Sequence, residues 1–496
     1  MAISLIAAFP VHAKSDRLCP SQFQEEVKKI VQSPKLKPSR VGVFVQTNES
    51  IPRTLADLDS DRYFLPASNI KLFTTAIALK LLGADFRFTT RLISKSLPNN
   101  KGELESGLWL MGAGDPSFKS ATDLKSLVTQ LKKQGVKQIK GGLWATSTRK
   151  GTEIAGSWEW SDLQEDYAAI PSPFTIDGNV LEWKLRPSSI GQPAIFEWSN
   201  PKFARSWKVD NQTVTAASNN QVAKSSVNEL TVNRPYPKQL LFVGGQIAVD
   251  APPESGLVTV PDPEANFLNV LQEELIAQGI KVDKFSPEEK PDQKEAFLDL
   301  AKEFNSYKYL ATVESLPLSE LIGTTNRESQ NLYAELILRA VGDRYPEADS
   351  DDSFDAGIEK ISKYLQSVIT PSSGSQVLLA DGSGLSRQNL STPRAIVEIL
   401  RSTASDRNFR NSLAIAGVNG TLTSRFKNTL AEGKIHAKTG TLTGTTALSG
   451  YVKPTDYSEV IFSIMINNSD LSNKELQQYV DEIALLIPQV TASACP

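Results

Sequence analysis

Residues 66–86 read PASNIKLFTTAIALKLLGADF, and this apolar stretch indicates the fold more directly than any other. Its spacing predicts a helix that opens at Pro66 and stops near Gly83. Ser68 and Lys71 stand one helical turn apart on the same face of its first turn. Unpaired N–H groups there favour a developing negative charge, and the apolar body would lower the pKa of Lys71. Ser68 is a candidate nucleophile with Lys71 as its base, and a plain helix N-cap explains Ser68 equally well.

A second short motif, Ser329-Gln330-Asn331, begins the helical stretch ESQNLYAELILRAV. It would place a hydroxyl that relays a proton and an amide that holds a peptide within one turn. The motif is unspecific alone, because Ser-x-Asn also occurs at Ser218 and Ser226.

A third motif, Lys438-Thr439-Gly440-Thr441, stands directly before a predicted hairpin. The lysine and the hydroxyls suit the capture of an extended peptide that ends in a carboxylate, and the glycine lets another backbone approach closely. An ordinary strand entry is the alternative, since glycine there also marks bulges.

In this order the three motifs are the Ser-x-x-Lys, Ser-x-Asn and Lys-Thr-Gly series of serine penicillin-recognising enzymes. The long interval between Lys71 and Ser329 and the stretch 437–451 (AKTGTLTGTTALSGY) make the chain resemble class C low-molecular-mass penicillin-binding proteins, the D-alanyl-D-alanine carboxypeptidase/endopeptidase family. The resemblance covers about residues 20–490. One departure is Gln330, which stands where the family usually has aspartate.

The resemblance implies an α/β (α+β) serine penicillin-recognising transpeptidase-like domain, an antiparallel sheet with helices, interrupted by a long β-rich insertion. It implies a serine D-Ala-D-Ala carboxypeptidase that works through an acyl-enzyme and is inhibited by penicillin, with DD-endopeptidase action left open. Peptidoglycan stem peptides and β-lactam antibiotics are the expected partners. No cofactor and no metal are expected.

The resemblance also implies a role for each motif residue. Ser68 would attack and Lys71 would take its proton, while Ser329, coupled to Lys438, would protonate the leaving amine. The backbone N–H groups of Ser68 and Thr441 would hold the oxyanion. The expected substrate-binding residues are Asn331, Thr439, Gly440 and Thr441.

Composition excludes several other classes of protein. Lys+Arg 53 against Asp+Glu 56 leaves a net charge of −3, which favours neither nucleic acid nor a disordered acidic tail, and no apolar run is long enough for a membrane-spanning helix. Two histidines and two cysteines leave little material for a zinc site. His436 shares a strand face with Lys438 by alternation, yet a structural role is the prediction for it.

The chain divides by pattern into a signal-like leader (1–19), a first part of the catalytic domain (20–92), inserted β-rich module or modules (93–261) and a second part of the catalytic domain (262–496). All seven tryptophans fall between Trp109 and Trp207, and core packing is predicted for them rather than stacking on sugars. A single continuous domain is the alternative.

The apolar N-terminal run resembles the end of a secretory signal, although an apolar strand would also explain it. The signal interpretation predicts a periplasmic or otherwise extracytoplasmic protein. Cys19 and Cys495 would form a disulfide or stay free thiols there, and the sequence leaves that choice and the oligomeric state open. Residues 281–303 are rich in Lys, Glu and Asp and are predicted to be a solvated excursion.

Two other functions stay open at this point. A β-lactamase-like hydrolase would share the first and third motifs, but it needs fast deacylation. A non-catalytic peptidoglycan-binding protein on the same scaffold would have no need for the nucleophile Ser68.

Overall fold

The computed structural model of the protein describes residues 17–147, 151, 153–218, 230–283, 306–346, 352–369, 376–454, 456–493 and 495. Most of the predicted leader and most of the predicted excursion at 281–303 lie outside these residues. Within the described ranges, no helix combines the length and the apolar character needed to cross a membrane.

Six strands form one antiparallel sheet at the centre of the molecule, in the order β2-β1-β6-β5-β4-β3. The strands are β1 (Arg40–Thr47), β2 (Thr54–Leu58), β3 (Ala414–Ile415), β4 (Ile435–Leu442), β5 (Thr445–Val452) and β6 (Val460–Asn467). Every residue of β5 and β6 is buried, because helices cover both faces of the sheet.

The helices pack on the two faces of this sheet and in a separate part of the chain. In chain order they are α1 (Pro20–Val31), α2 (Ile70–Leu82), α3 (Lys125–Lys133), α4 (Pro263–Ala277), α5 (Leu318–Arg327), α6 (Asn331–Arg344), α7 (Ser353–Val368), α8 (Pro393–Ser402), α9 (Arg407–Asn411) and α10 (Asn473–Leu486). Helices α2 and α5 to α8 bury apolar residues against one face, and α1 and α10 pack on the other. The predicted antiparallel sheet with helices is therefore confirmed.

The region between α2 and α5 has apolar cores of its own. One core packs α3 and α4 against short strands, and a second lies among strands only. The strands of this part of the chain are Thr89–Ser94, Glu103–Leu104, Leu108–Met111, Gln138–Ile139, Leu143–Thr146, Val180–Arg186, Ile195–Trp198, Lys208–Asn211, Val214–Ala216, Thr231–Asn233, Leu240–Gly244, Gln246–Ala248, Glu254–Thr259, Lys281–Val282 and Lys308–Glu314. The short pair Val377–Leu378 and Leu390–Ser391 follows later in the chain.

The sequence division at 93 and 261 stays a prediction, and packing favours wider limits. Helix α4, which the sequence analysis assigned to the second part of the catalytic domain, buries Phe267 and Leu271 in the core shared with α3. Strand Lys308–Glu314 pairs antiparallel with Thr89–Ser94, so the chain enters and leaves this region side by side. We therefore propose that the inserted region extends from Thr89 to Glu314.

Most tryptophans of the inserted region lie in cores, as predicted. Trp109, Trp158, Trp183 and Trp207 are each at most 9% exposed. Trp160 is the exception at 70% exposed, and its ring meets Tyr236 edge to face at 5.4 Å.

The two cysteines form a disulfide, which resolves the choice that the sequence left open. Cys19 is the N-cap residue of helix α1, and its Cα lies 5.2 Å from that of Cys495. Backbone hydrogen bonds join Leu18 to Gln489 and Thr491 beside it. The disulfide therefore fastens the end of the chain to the first helix.

Replacing Cys495 with serine is expected to lower the free energy of unfolding by at least about 2 kcal/mol, because the unfolded chain is then no longer restricted by a cross-link. Thermal unfolding of the wild type with and without a reductant measures the same effect, and the reductant should leave Cys495→Ser unchanged. A wild-type midpoint that does not respond to the reductant would contradict the expectation.

Candidate active site

Ser68 lies in a tight 3₁₀ turn, Ala67–Asn69, that leads directly into helix α2. Ala67 has a left-handed φ of +48°, which turns the chain so that Ser68 stays half-exposed above a buried helix. Gly384 packs closely against this turn, because a Cβ at its position would lie 1.9 Å from the Ala67 carbonyl oxygen. A neighbouring loop thus holds the turn in place.

Lys71 is fully buried one turn after Ser68. Its Nζ donates to Ser68 Oγ at 2.9 Å, to Asn331 Oδ1 at 2.6 Å and to the Ser383 carbonyl at 2.6 Å. Burial lowers the pKa of Lys71 to about 7, against the opposing effect of the Asp381 and Glu335 carboxylates. A lysine in this state can exist as a neutral amine near neutral pH.

The second and third motifs meet through Ser329 and Lys438. Ser329 has a left-handed φ of +59° between α5 and α6, and its Oγ accepts from Lys438 Nζ at 2.8 Å. Lys438 is fully buried in β4. Burial, and next the charge of Lys71, lower the pKa of Lys438 well below its usual value.

Asn331 joins the first motif to the inserted region. Its Oδ1 accepts from Lys71, and its Nδ2 donates to the Tyr167 carbonyl at 2.8 Å. The two polar side chains of the Ser-x-Asn motif therefore contact different lysines: Ser329 is hydrogen-bonded to Lys438, and Asn331 is hydrogen-bonded to Lys71.

Residues 439–441 form the far side of the site on β4. Gly440 passes close to the first motif, since a Cβ there would meet the Pro66 carbonyl oxygen at 2.7 Å. Thr439 is nearly buried and donates to Thr421 Oγ1 at 2.9 Å, whereas Thr441 is exposed. The structure thus brings together all eight residues singled out from the sequence: Ser68, Lys71, Ser329, Asn331, Lys438, Thr439, Gly440 and Thr441.

The sequence analysis assigned no role to the acidic support of the site. Asp381 lies at the centre of the loop 381–386 and accepts from the backbone N–H groups of Gly384 and Ser386 at 2.7 and 2.6 Å. Glu335, on α6, accepts from the Gly382 N–H at 2.9 Å and pairs with Arg339. Neither carboxylate belongs to the three motifs, and nothing in the sequence marks Glu335.

Residues 153–168, here called the bridging segment, connect the inserted region to the site. Trp158 Nε1 donates to Asp381 Oδ2 at 3.0 Å, and the Glu153 carbonyl accepts from Arg339 at 2.7 Å. Near its other end, the Tyr167 carbonyl accepts from Asn331. The segment therefore contacts both the acidic support and the lysine network.

Comparison with known protein families decides the assignment. Residues 23–489 match the D-Ala-D-Ala carboxypeptidase 3 (S13) family. The chain belongs to the S13 family. A D-alanyl-D-alanine carboxypeptidase of Actinomadura sp. (strain R39) is 32% identical to it over 482 residues, which cover 94% of this chain and 85% of that protein.

A second relative and its crystal structure match the chain along most of its length. The D-alanyl-D-alanine carboxypeptidase DacB of Haemophilus influenzae is 29% identical over 88% of both chains. The crystal structure of penicillin binding protein 4 (dacB) from H. influenzae superposes with a TM-score of 0.76 at 26% identity, covering 92% of this chain and 97% of that one. A second structure of that protein is a complex with a β-lactam, with a TM-score of 0.72.

The S13 assignment confirms the resemblance and the fold class inferred from the motifs. As an S13 protein, the chain is a serine peptidase of the D-alanyl-D-alanine carboxypeptidase family. His436 lies on the same strand as Lys438 and is half-buried, and burial and then the charge of Arg410 lower its pKa. A structural role stays the prediction for His436.

Proposed function

We propose that this S13 protein is a D-Ala-D-Ala carboxypeptidase that removes the terminal residue of peptidoglycan stem peptides through an acyl-enzyme on Ser68. One observation carries the proposal: a buried lysine with a pKa of about 7 donates to the nucleophile hydroxyl at 2.9 Å. Neutral Lys71 would accept the Ser68 proton as the oxygen attacks the carbonyl carbon of the penultimate D-Ala.

The substrate would lie extended along the free edge of β4. Strand β3 pairs with β4 only at 436–437, so 438–442 have no strand partner on that side in the described chain. The Ile435 carbonyl accepts from the Ala416 N–H on this side, and strand alternation points the Thr441 N–H the same way. That N–H and the Ser68 N–H would hold the tetrahedral oxyanion.

Departure of D-Ala needs a proton on its amine. Ser329, hydrogen-bonded to Lys438, would donate that proton as the C–N bond breaks and would recover one from Lys438. Lys438 and the hydroxyls of Thr439 and Thr441 would receive the terminal carboxylate, while Asn331 would hold the acyl-side peptide. Water then hydrolyses the ester on Ser68 and completes the cycle.

The two alternative functions are less well supported by the same contacts. A binding protein would gain nothing from Lys71, because an uncharged buried lysine lowers stability without contributing to recognition. A β-lactamase requires a group that activates water for fast deacylation, and Asp381 and Glu335 are occupied by backbone N–H groups and Arg339.

We also propose that the protein works outside the cytoplasm. The Cys19–Cys495 disulfide supports this location, because such bonds persist mainly in oxidising compartments. Peptidoglycan as a substrate supports the same location.

Release of D-alanine from an acylated peptide that ends in D-Ala-D-Ala tests the function, with the L-Ala-L-Ala peptide as a control. Release from the first peptide alone is expected, and a penicillin should block it with slow recovery. Rapid turnover of the penicillin would instead favour the β-lactamase. No turnover of either the D-Ala-D-Ala peptide or the penicillin would favour the binding protein. A cross-linked dimer peptide in the same assay measures endopeptidase action.

Acylation should depend on pH through Lys71. The base works only when it is unprotonated, so the second-order rate constant for acylation by a fluorescent penicillin should be level above pH 7. Below that pH it should fall about tenfold per unit as Lys71 gains its proton. A rate constant that stays unchanged between pH 5 and pH 8 would exclude Lys71 as the base.

A further inference from the structure

Arg234 of the inserted region is buried, with 2% of its surface exposed, and it contacts the bridging segment. Its Nη2 donates to the Leu163 carbonyl and, at 2.8 Å, to Thr259 Oγ1. Its backbone N–H donates to Gln164 Oε1 at 3.1 Å. One residue thus holds two successive positions of the segment, three and four residues before Tyr167.

The burial of Arg234 is costly for stability. Across the described chain it forms no ion pair with a carboxylate, and its Nε and Nη1 have no hydrogen-bond partner. A guanidinium removed from water under these conditions destabilises the fold. An apolar side chain of similar length would fill the same space at lower cost, so packing alone does not account for an arginine here.

Hydrogen bonds matter at this place because packing leaves the segment room to move. A cavity of about 370 Å³ adjoins it, and the lining includes Gln164, Glu165 and Arg234. The adjoining part of the segment, Trp160–Gln164, is a short 3₁₀ turn whose buried side chain is Leu163 alone. The polar contacts of Arg234 therefore limit its displacement toward the cavity.

We propose that Arg234 is a positioning residue for the acyl-transfer site. It acts through the bridging segment: Arg234 fixes Leu163 and Gln164, the segment presents the Tyr167 carbonyl to Asn331, and Asn331 accepts from Lys71. The inserted region in this way sets the orientation of the amide that lies between the base and the substrate. This inference rests on the proposed function.

Arg234→Met tests the proposal, because it removes the guanidinium that donates to the Leu163 carbonyl. The variant keeps the backbone N–H that donates to Gln164, and the Leu163 carbonyl still accepts from Thr259 Oγ1 at 3.0 Å. The rate constant for acylation by a fluorescent penicillin should fall about tenfold or more, since small displacements at a reacting site have effects of that size. The thermal unfolding midpoint should stay or rise, because a buried charge without a carboxylate partner is gone. A purely structural arginine would instead lose stability and keep its acylation rate.

Arg186→Met is the matched control, since Arg186 lies in the same region, is half-exposed and pairs with Glu197 at the surface. Arg186→Met should change neither the acylation rate constant nor the thermal unfolding midpoint. Arg234→Lys should recover part of the lost rate, because an ammonium can donate to the same carbonyl. An acylation rate within threefold of wild type in folded Arg234→Met would overturn the proposal. If Arg234→Met does not fold, the same threefold limit applies to the acylation rates of Arg234→Lys and Thr259→Val.

Amide hydrogen exchange over residues 160–168 separates this proposal from the function on which it rests. Faster exchange there in Arg234→Met, with Arg186→Met unchanged, is expected whether or not the protein reacts with penicillin. Unchanged exchange would overturn the positioning role. A wild type that is never acylated would refute the proposed function alone.

Discussion

Ser68→Ala should gain no mass when incubated with a penicillin, whereas the wild type gains one acyl group per chain. The variant lacks the oxygen that attacks, and among the described residues no other hydroxyl is hydrogen-bonded to Lys71 Nζ. Release of D-alanine should fall by at least about 10⁴-fold, the scale seen when a covalent nucleophile is removed. Intact-mass analysis and the D-alanine assay measure the two effects.

Ser424→Ala is the matched control for this experiment. Ser424 and Lys427 have the same Ser-x-x-Lys spacing, but both are exposed at the surface. The control should be acylated like the wild type. Full labelling of a folded Ser68→Ala protein would place the acyl group on another residue and refute the mechanism.

The difference between these two serines shows why the first motif could be inferred from the sequence. A spacing of three residues puts any Ser and Lys on one helical face, so spacing alone cannot distinguish them. The apolar residues after Lys71 predict a buried helix, and burial is what lowers the lysine pKa. The apolar residues around the motif, and not its spacing, therefore identify Ser68 and Lys71 as the candidate nucleophile and base.

Elements with strong local patterns were predicted close to their observed limits. The hairpin expected directly after the third motif is β5 and β6, and its register is continuous. The position of α4 was harder, because an apolar face predicts a helix without saying which core receives it. In this protein α4 packs in the core that it shares with α3.

The sequence does not reveal the roles of Glu335 and Asp381, because these roles also depend on residues from other parts of the chain. A buried carboxylate is stabilised by donors that come from distant parts of the chain, such as the Gly382 N–H for Glu335 and Trp158 Nε1 for Asp381. A lone acid in a helix or a loop otherwise looks like a solvated residue. The same holds for Arg234, whose partners in the bridging segment lie about 70 residues away.

Lys71→Met should lower the acylation rate constant by at least about 10³-fold, because the thioether cannot take the Ser68 proton. The residual rate should lose its dependence on pH around 7. Lys80→Met is the matched control, since Lys80 lies on the same helix and is exposed. A folded Lys71→Met protein with near wild-type acylation would show that another group is the base.

The same substitution should also change how stability depends on pH. In the folded wild type the pKa of Lys71 is about 7, against 10.5 when it is solvated. Between these values the unfolded chain binds a proton that the folded chain does not, so the free energy of unfolding rises with pH. From pH 7 to pH 10 the wild type should gain about 3 kcal/mol relative to Lys71→Met. Burial, the larger cause of the lowered Lys438 pKa, is common to both proteins, so only the smaller part that comes from the charge of Lys71 adds to the difference. Denaturant unfolding of both proteins at the two pH values measures this difference, and parallel pH profiles would mean that Lys71 is not held as a neutral amine in the folded protein.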